Sequence, residues 1–217
     1  MGVGPNAGPS NSLKRRTSEA DLDADWSVEL GADDAVLEFP WTDPDGNLKF
    51  VDLRAHPDQV ERLPETAREP ELVNALLALN SGESVFASAK CDLWLDDDPV
   101  ASERVHGPVK FGSYIDCVLA EPDAAMRANF AWHEALVKLA VEMAGSEDVP
   151  GSIEYIVRRC YYHPEGRRSD DDYFLAAGLC VTIYASGFGD SAVAARSQWA
   201  EALDLACEAL LTAARST

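Results

Sequence analysis

Ser84-Val85-Phe86-Ala87-Ser88-Ala89-Lys90-Cys91-Asp92-Leu93-Trp94-Leu95 and, one loop later, Val109-Lys110-Phe111-Gly112-Ser113-Tyr114-Ile115-Asp116-Cys117-Val118-Leu119 decide the fold. In the first stretch Val85, Ala87, Ala89, Cys91, Leu93 and Leu95 alternate with Phe86, Ser88, Lys90, Asp92 and Trp94. In the second, Val109, Phe111, Ile115, Cys117 and Leu119 share one side, and Lys110, Tyr114 and Asp116 the other. A period of two is that of a strand with one buried face. A helix should follow, opened by Pro122-Asp123, with Trp132, Leu136, Leu139 and Met143 at helical spacing, and closed by Gly145-Ser146.

The same order then recurs. A strand from Ile153 to Tyr162, a polar loop at Pro164-Glu165-Gly166 and a strand from Phe174 to Ser186 precede a helix from about Ser191 to Ala214, with Asp190 as its cap and Gly187-Phe188-Gly189 as the loop before it. Both helices carry a Trp-x-x-Ala-Leu string, at Trp132–Leu136 and Trp199–Leu203. Ala and Leu are common helix formers, so only the Trp is informative, and an internal duplication stays open. Two strand-strand-helix units most economically build an antiparallel sheet with both helices packed on one face, an α+β architecture.

Ahead of these units lies a β-rich extension. Trp26-Val28-Leu30, Val36-Leu37-Phe39 and the Asp45-Gly46 turn before Leu48 and Phe50 read as a small antiparallel meander. Prolines at 57, 64 and 70 leave room for no more than a turn of helix before Leu72, Leu76 and Leu79, which fall at helical spacing ahead of Asn80-Ser81-Gly82. Residues 1–24 offer no face to bury and are expected to be a disordered tail; 25–82 form the meander and its helix; 83–217 form the α+β sandwich. The tail's Lys14-Arg15-Arg16-Thr17-Ser18 has the form of a basophilic phosphorylation motif, and equally that of an ordinary basic run.

With 38 Asp and Glu against 18 Lys and Arg, the chain carries a formal charge of −20. Such a field repels a polyanion, and the short basic runs do not make a phosphate track, so no nucleic-acid partner is expected. The acid excess suits a solvated surface, or a salt-adapted cytoplasm. The five cysteines are scattered without a C-x-x-C pair and read as buried thiols of a reducing compartment. No export signal and no membrane-length apolar run is seen, so a soluble, cytoplasmic protein is expected.

If the aliphatic sides of the strands meet the helices, the other sheet face gathers Phe86, Lys90, Asp92, Trp94, Tyr114, Asp116, Thr182 and Tyr184, with one of Arg158 and Arg159. We take Lys90, Asp92, Trp94, Tyr114, Asp116, Arg159 and Tyr184 as candidate ligand-binding residues: an aromatic wall with Asp92 or Asp116 as a base and Lys90 or the Arg as an anion anchor. The bland reading of that set is cross-strand ion and aromatic pairs under the N-terminal meander. Asp96-Asp97-Asp98 and Asp170-Asp171-Asp172 lack the spacing of a calcium loop, and His56, His106, His133 and His163 lack that of a helical zinc site, so no metal is assigned. No nucleophile, phosphate-loop or dinucleotide motif occurs, and no cofactor is implied. Two functional readings follow. One is a non-enzymatic binding or protein-interaction module, homodimeric through its aromatic sheet face. The other is a small-molecule enzyme or ligand-binding protein with a polar, aromatic cleft on that face, which requires a carboxyl of perturbed pKa.

Overall fold

A computed structural model describes residues 23–41, 49–67, 69–120, 124–145, 151–163 and 176–217. The expected tail up to residue 22 with its Lys14–Ser18 motif, the Asp45-Gly46 turn, Pro122-Asp123, Ser146, Pro164-Glu165-Gly166 and Asp170-Asp171-Asp172 lie outside them. The elements are β1 (Asp23–Glu29), β2 (Val36–Phe39), α1 (Pro70–Leu79), β3 (Phe86–Asp96), β4 (Val109–Leu119), the one-turn α2 (Ala124–Arg127), α3 (Phe130–Ala144), β5 (Ser152–Tyr162), β6 (Ala176–Gly189) and α4 (Ala192–Ser216). Two 3-10 segments, Pro57–Arg62 and Pro64–Thr66, fill the proline-rich stretch before α1.

The architecture is α+β: one mixed, six-stranded sheet in the order β1-β5-β6-β4-β3, with β2 also on β5. The four strands of the second half pair antiparallel, β3 with β4, β4 with β6 and β6 with β5. The N-terminal strands break the expected pattern. β1 and β2 form no meander; each runs parallel to β5, Asp23 opposite Ser152 through Glu29 opposite Arg158, then Val36 opposite Arg159 through Phe39 opposite Tyr162. They act as one interrupted edge strand. Local alternation specifies a half-buried strand but not a neighbour more than a hundred residues away.

α1, α3 and α4 share one core with the sheet, their buried Leu72, Leu76, Leu136, Val137, Leu203 and Leu210 facing Ile115, Ile153, Val157, Val181 and Ile183. The single helix expected after β4 is split. Asn129 accepts from Trp132 N at 3.2 Å and starts α3 afresh, and the face it buries is centred on His133, Val137, Ala140 and Ala144, leaving Trp132, Leu139 and Met143 partly exposed. Ser191, rather than Asp190, caps α4, accepting from Ala194 N at 3.3 Å. Two buried polar contacts lock α4 to the sheet: Tyr155 donates to Ala206 O at 2.8 Å, and Trp199 Nε1 donates to Ser113 Oγ at 2.8 Å. Gly187 to Gly189 belong to β6 and not to a loop, because here α4 crosses strand backbone directly.

A β-bulge decides which face β3 shows. Ser88 lies opposite Cys117 and Lys90 opposite Asp116, so Ala89 is an extra residue. Upstream of it Phe86 joins the helix-side core while Ala87 and Ala89 turn to the other face, the reverse of the expected assignment; downstream Lys90, Asp92 and Trp94 hold the face that was expected. No described helix is long and apolar enough to cross a membrane.

Candidate functional site

The sheet face opposite α1, α3 and α4 has a dry end and a wet end. At the dry end Ala87, Ala89, Val118, Cys160, Tyr162 and Cys180 pack together, with Leu37 and Phe39 beside Cys160 and Tyr162 on the neighbouring β2. Phe39 meets Phe50 edge-on at 5.0 Å and Tyr162 at 6.0 Å, and Arg127 of α2 lies over the Tyr162 ring at 4.0 Å. The N-terminal segment therefore extends this end of the face sideways through Leu37 and Phe39 of β2, with Phe50 against Phe39, and does not lie over it as the meander of the bland reading.

The wet end gathers six of the seven candidate residues. Register sets Asp116 opposite both Lys90 and Thr182, Tyr114 opposite both Asp92 and Tyr184, and Trp94 opposite Gly112. Gly112 is required by the aromatic wall: a Cβ there would sit 2.7 Å from Trp94 Cζ2, so the indole lies across β4 only because the side chain is missing. Tyr184 meets Trp94 at 6.4 Å and Tyr114 at 5.7 Å between centroids.

The seventh candidate, Arg159, does not join them. It stands opposite Leu179 of the helix-side core and donates to the carbonyls of Gly31 and Asp34. Arg158 takes its place, opposite Cys180 and over the Tyr184 ring at 5.6 Å. The alternation Ile153, Tyr155, Val157 carried one step further puts residue 159 with the helices, but Ile156 makes the run continuous and hides it. Glu29 and Trp41 were also missed, since nothing local places Glu29 beside Arg158 of β5 or Trp41 beside Lys90 of β3.

These side chains form a linear polar chain. Glu29 Oε2 accepts from Arg158 Nε at 2.7 Å, Arg158 reaches Thr182 Oγ1 at 3.3 Å, and Thr182 donates to Asp116 Oδ1 at 2.5 Å. Lys90 Nζ lies 4.9 Å from the Trp41 ring and 5.7 Å from that of Tyr114. Asp116 is only 6% exposed. Burial holds its carboxyl above the usual range, and the Thr182 hydrogen bond with the charges of Arg158 and Lys90 offsets only part of that. Burial likewise raises the Tyr114 phenol, and neighbouring Asp116 adds to it.

An acid whose pKa is higher folded than unfolded binds its proton more readily when folded. Its contribution is therefore full below the unfolded-state value, about 3.9 for Asp, and is lost as pH rises through the folded value. Asp116→Asn keeps an acceptor for Thr182 and removes the titration. We expect its stability relative to the parent to improve with rising pH across that window and to lie within about 1 kcal/mol of it at neutrality. Urea unfolding at several pH values measures this, and a pH-independent difference would remove Asp116 as the cause.

Among the described residues, no three His, Cys, Asp or Glu side chains gather to hold a metal ion. His133 is buried against Asn129 O at 2.9 Å, and burial lowers its pKa. Cys91 is half-buried, its thiol pushed up to about 12 by desolvation and by Glu65, Asp92 and Asp116, which leaves it a poor nucleophile. No family model matches the chain, and no curated protein or solved structure matches it.

Proposed function

We propose that the chain is a non-enzymatic interaction module whose wet sheet face docks a protein partner, a second copy of itself being the simplest case. One observation carries this reading: the charged chain on the face is already satisfied within the molecule, while three large rings remain partly uncovered around it. Glu29 holds Arg158, Thr182 holds Asp116, and Lys90 sits between two rings. Groups so engaged are poor proton carriers but good orienting neighbours for Trp94, Tyr114 and Tyr184, and Trp, Tyr and Arg are the residue types that dominate protein interfaces. Trp94→Ala combined with Tyr184→Ala is expected to weaken self-association by about a thousandfold or more, at about 1–2 kcal/mol per ring and subunit, as read by sedimentation equilibrium. A wild-type chain that stays monomeric at high concentration would discard the homodimer.

The raised pKa of buried Asp116 favours a second reading, a small-molecule site that uses this carboxyl. A thermal-shift screen against nucleotides, divalent cations and common metabolites, repeated on Asp116→Asn, tests it; a shift lost on substitution would replace the interaction module with the small-molecule site.

A further inference from the structure

The outer edge of β3, which adjoins the wet face through Lys90, Asp92 and Trp41, carries an inference of its own. β3 is the last strand on its side of the sheet, so half of its backbone groups face away from β4. The first part of that edge is blocked by the chain itself. Arg54 donates to Phe86 O at 2.8 Å while also holding the Ser81 and Ser84 carbonyls, and Asn80 Oδ1 accepts from Ser88 N at 3.0 Å. Beyond the Ala89 bulge this protection stops. Ala120 N bonds to Val85 O, which sets the alternation along β4: Asp116, Tyr114, Gly112 and Lys110 direct their backbone groups to Lys90, Asp92, Trp94 and Asp96. Cys91, Leu93 and Leu95 therefore direct theirs outward. Leu93 N is met only by the Asp92 carboxylate at 2.8 Å, and among the described residues nothing bonds the outer side of Cys91 or Leu95.

Beside this edge a cleft of about 320 Å³ opens between β3 and the 49–53 segment. Phe50, Leu53, Leu63 and Leu76 supply its apolar lining, next to Ser88–Asp92. The volume lies at the lower end of the range for ligand pockets and admits one large apolar side chain. Farther along the strand Leu95 is 53% exposed, and Asp92, Asp96 and Asp97 have no ion-pair partner among the described residues.

We propose that the edge Cys91–Leu95 accepts an extended, basic segment of a partner protein as an added antiparallel strand, with one apolar side chain of that segment seated in the cleft. Strand addition uses main-chain hydrogen bonds for affinity and a side pocket for specificity, and both are present. Charge selects the occupant. These aspartates, without ion-pair partners among the described residues, favour a segment bearing Lys or Arg and disfavour the same acidic edge of a second copy.

The probe is a synthetic heptapeptide of alternating Lys and Val with a central Leu, its binding to the full-length chain measured by fluorescence anisotropy at low salt. We expect saturable binding, weakened about tenfold or more by N-methylation of alternate amides, by Leu95→Pro and by Leu95→Lys. Leu95→Pro removes only an outward N–H, so the β4 ladder survives, and Leu95→Lys keeps every backbone bond while placing a charge at the edge. Four results would overturn the proposal: no binding to the wild type; equal binding by the N-methylated peptide or by both variants; self-association abolished by Leu95→Lys, which would make a second copy the occupant; or binding seen only after deletion of residues 1–22, which would make the chain's own Leu13-Lys14-Arg15-Arg16 the occupant.

Discussion

Gly187→Ala is expected to destabilise the protein by about 3 kcal/mol or more, the upper end of what forced overpacking costs. A Cβ at this position would lie 2.2 Å from Ala195 O and 2.2 Å from Trp199 N. Both are backbone atoms of α4, so no side chain can turn aside, and relief requires lifting the helix from the sheet. Its neighbour Gly189 faces the same helix, with a Cβ there 2.7 Å from that of Ala194. Lifting α4 would also stretch the bonds from Tyr155 to Ala206 O and from Trp199 to Ser113, so the loss should be cooperative. Gly82→Ala is the control, since a Cβ there meets nothing within 4 Å, and a change within about 0.5 kcal/mol is expected. Urea midpoints at constant m-value separate the two. Equal midpoints would mean that α4 does not approach β6 this closely in solution.

Trp199→Ala should cost about 4 kcal/mol, the range for deleting a large buried ring. Trp199 is fully buried, stacks edge-on with Phe111 at 4.8 Å and donates to Ser113, itself fully buried. Trp199→Phe retains most of the volume but leaves the Ser113 hydroxyl without its donor, and about 1–2 kcal/mol is expected. Adding Ser113→Ala to Trp199→Phe should recover part of that loss, because removing both partners of a buried hydrogen bond costs less than removing one. Strict additivity in this double-mutant cycle would show that the indole N–H and the hydroxyl do not interact.

The two tryptophans of the matching helix strings show where local pattern stops informing. Trp132 and Trp199 begin the same Trp-x-x-Ala-Leu run, yet Trp199 is wholly enclosed and Trp132 only half-buried. Helical spacing defines a stripe to within a residue or so, and the neighbouring elements settle its centre. On α3 they centred it on His133 and Val137 because the helix restarts at the Asn129 cap. Much of the candidate site was legible for a firmer reason: along β4 and the second part of β3 the alternation runs unbroken, so Lys90, Asp92, Trp94, Tyr114 and Asp116 were placed on one face by counting. Arg159 was misplaced because the apolar run Tyr155-Ile156-Val157 hides the parity of β5. Phe86 was misplaced because the Ala89 bulge adds one residue, and nothing in Ser88-Ala89-Lys90 announces a bulge.

By itself the sequence determined the α+β composition, the extent of β4, the helical spacing of Leu72, Leu76 and Leu79, the polar and aromatic character of one sheet face, and the charge that argues against polyanion partners. These follow from local quantities: side-chain period, turn and cap chemistry, and a sum of charges. Tertiary structure alone decided that β1 and β2 lie parallel to β5, that Glu29 and Arg158 complete the chain ending at Asp116, that Gly187 must be glycine, and that β3 ends the sheet with an open outer edge. Each depends on pairing between residues far apart in the chain, where many registers satisfy the same local pattern and only the simultaneous burial of all faces selects one.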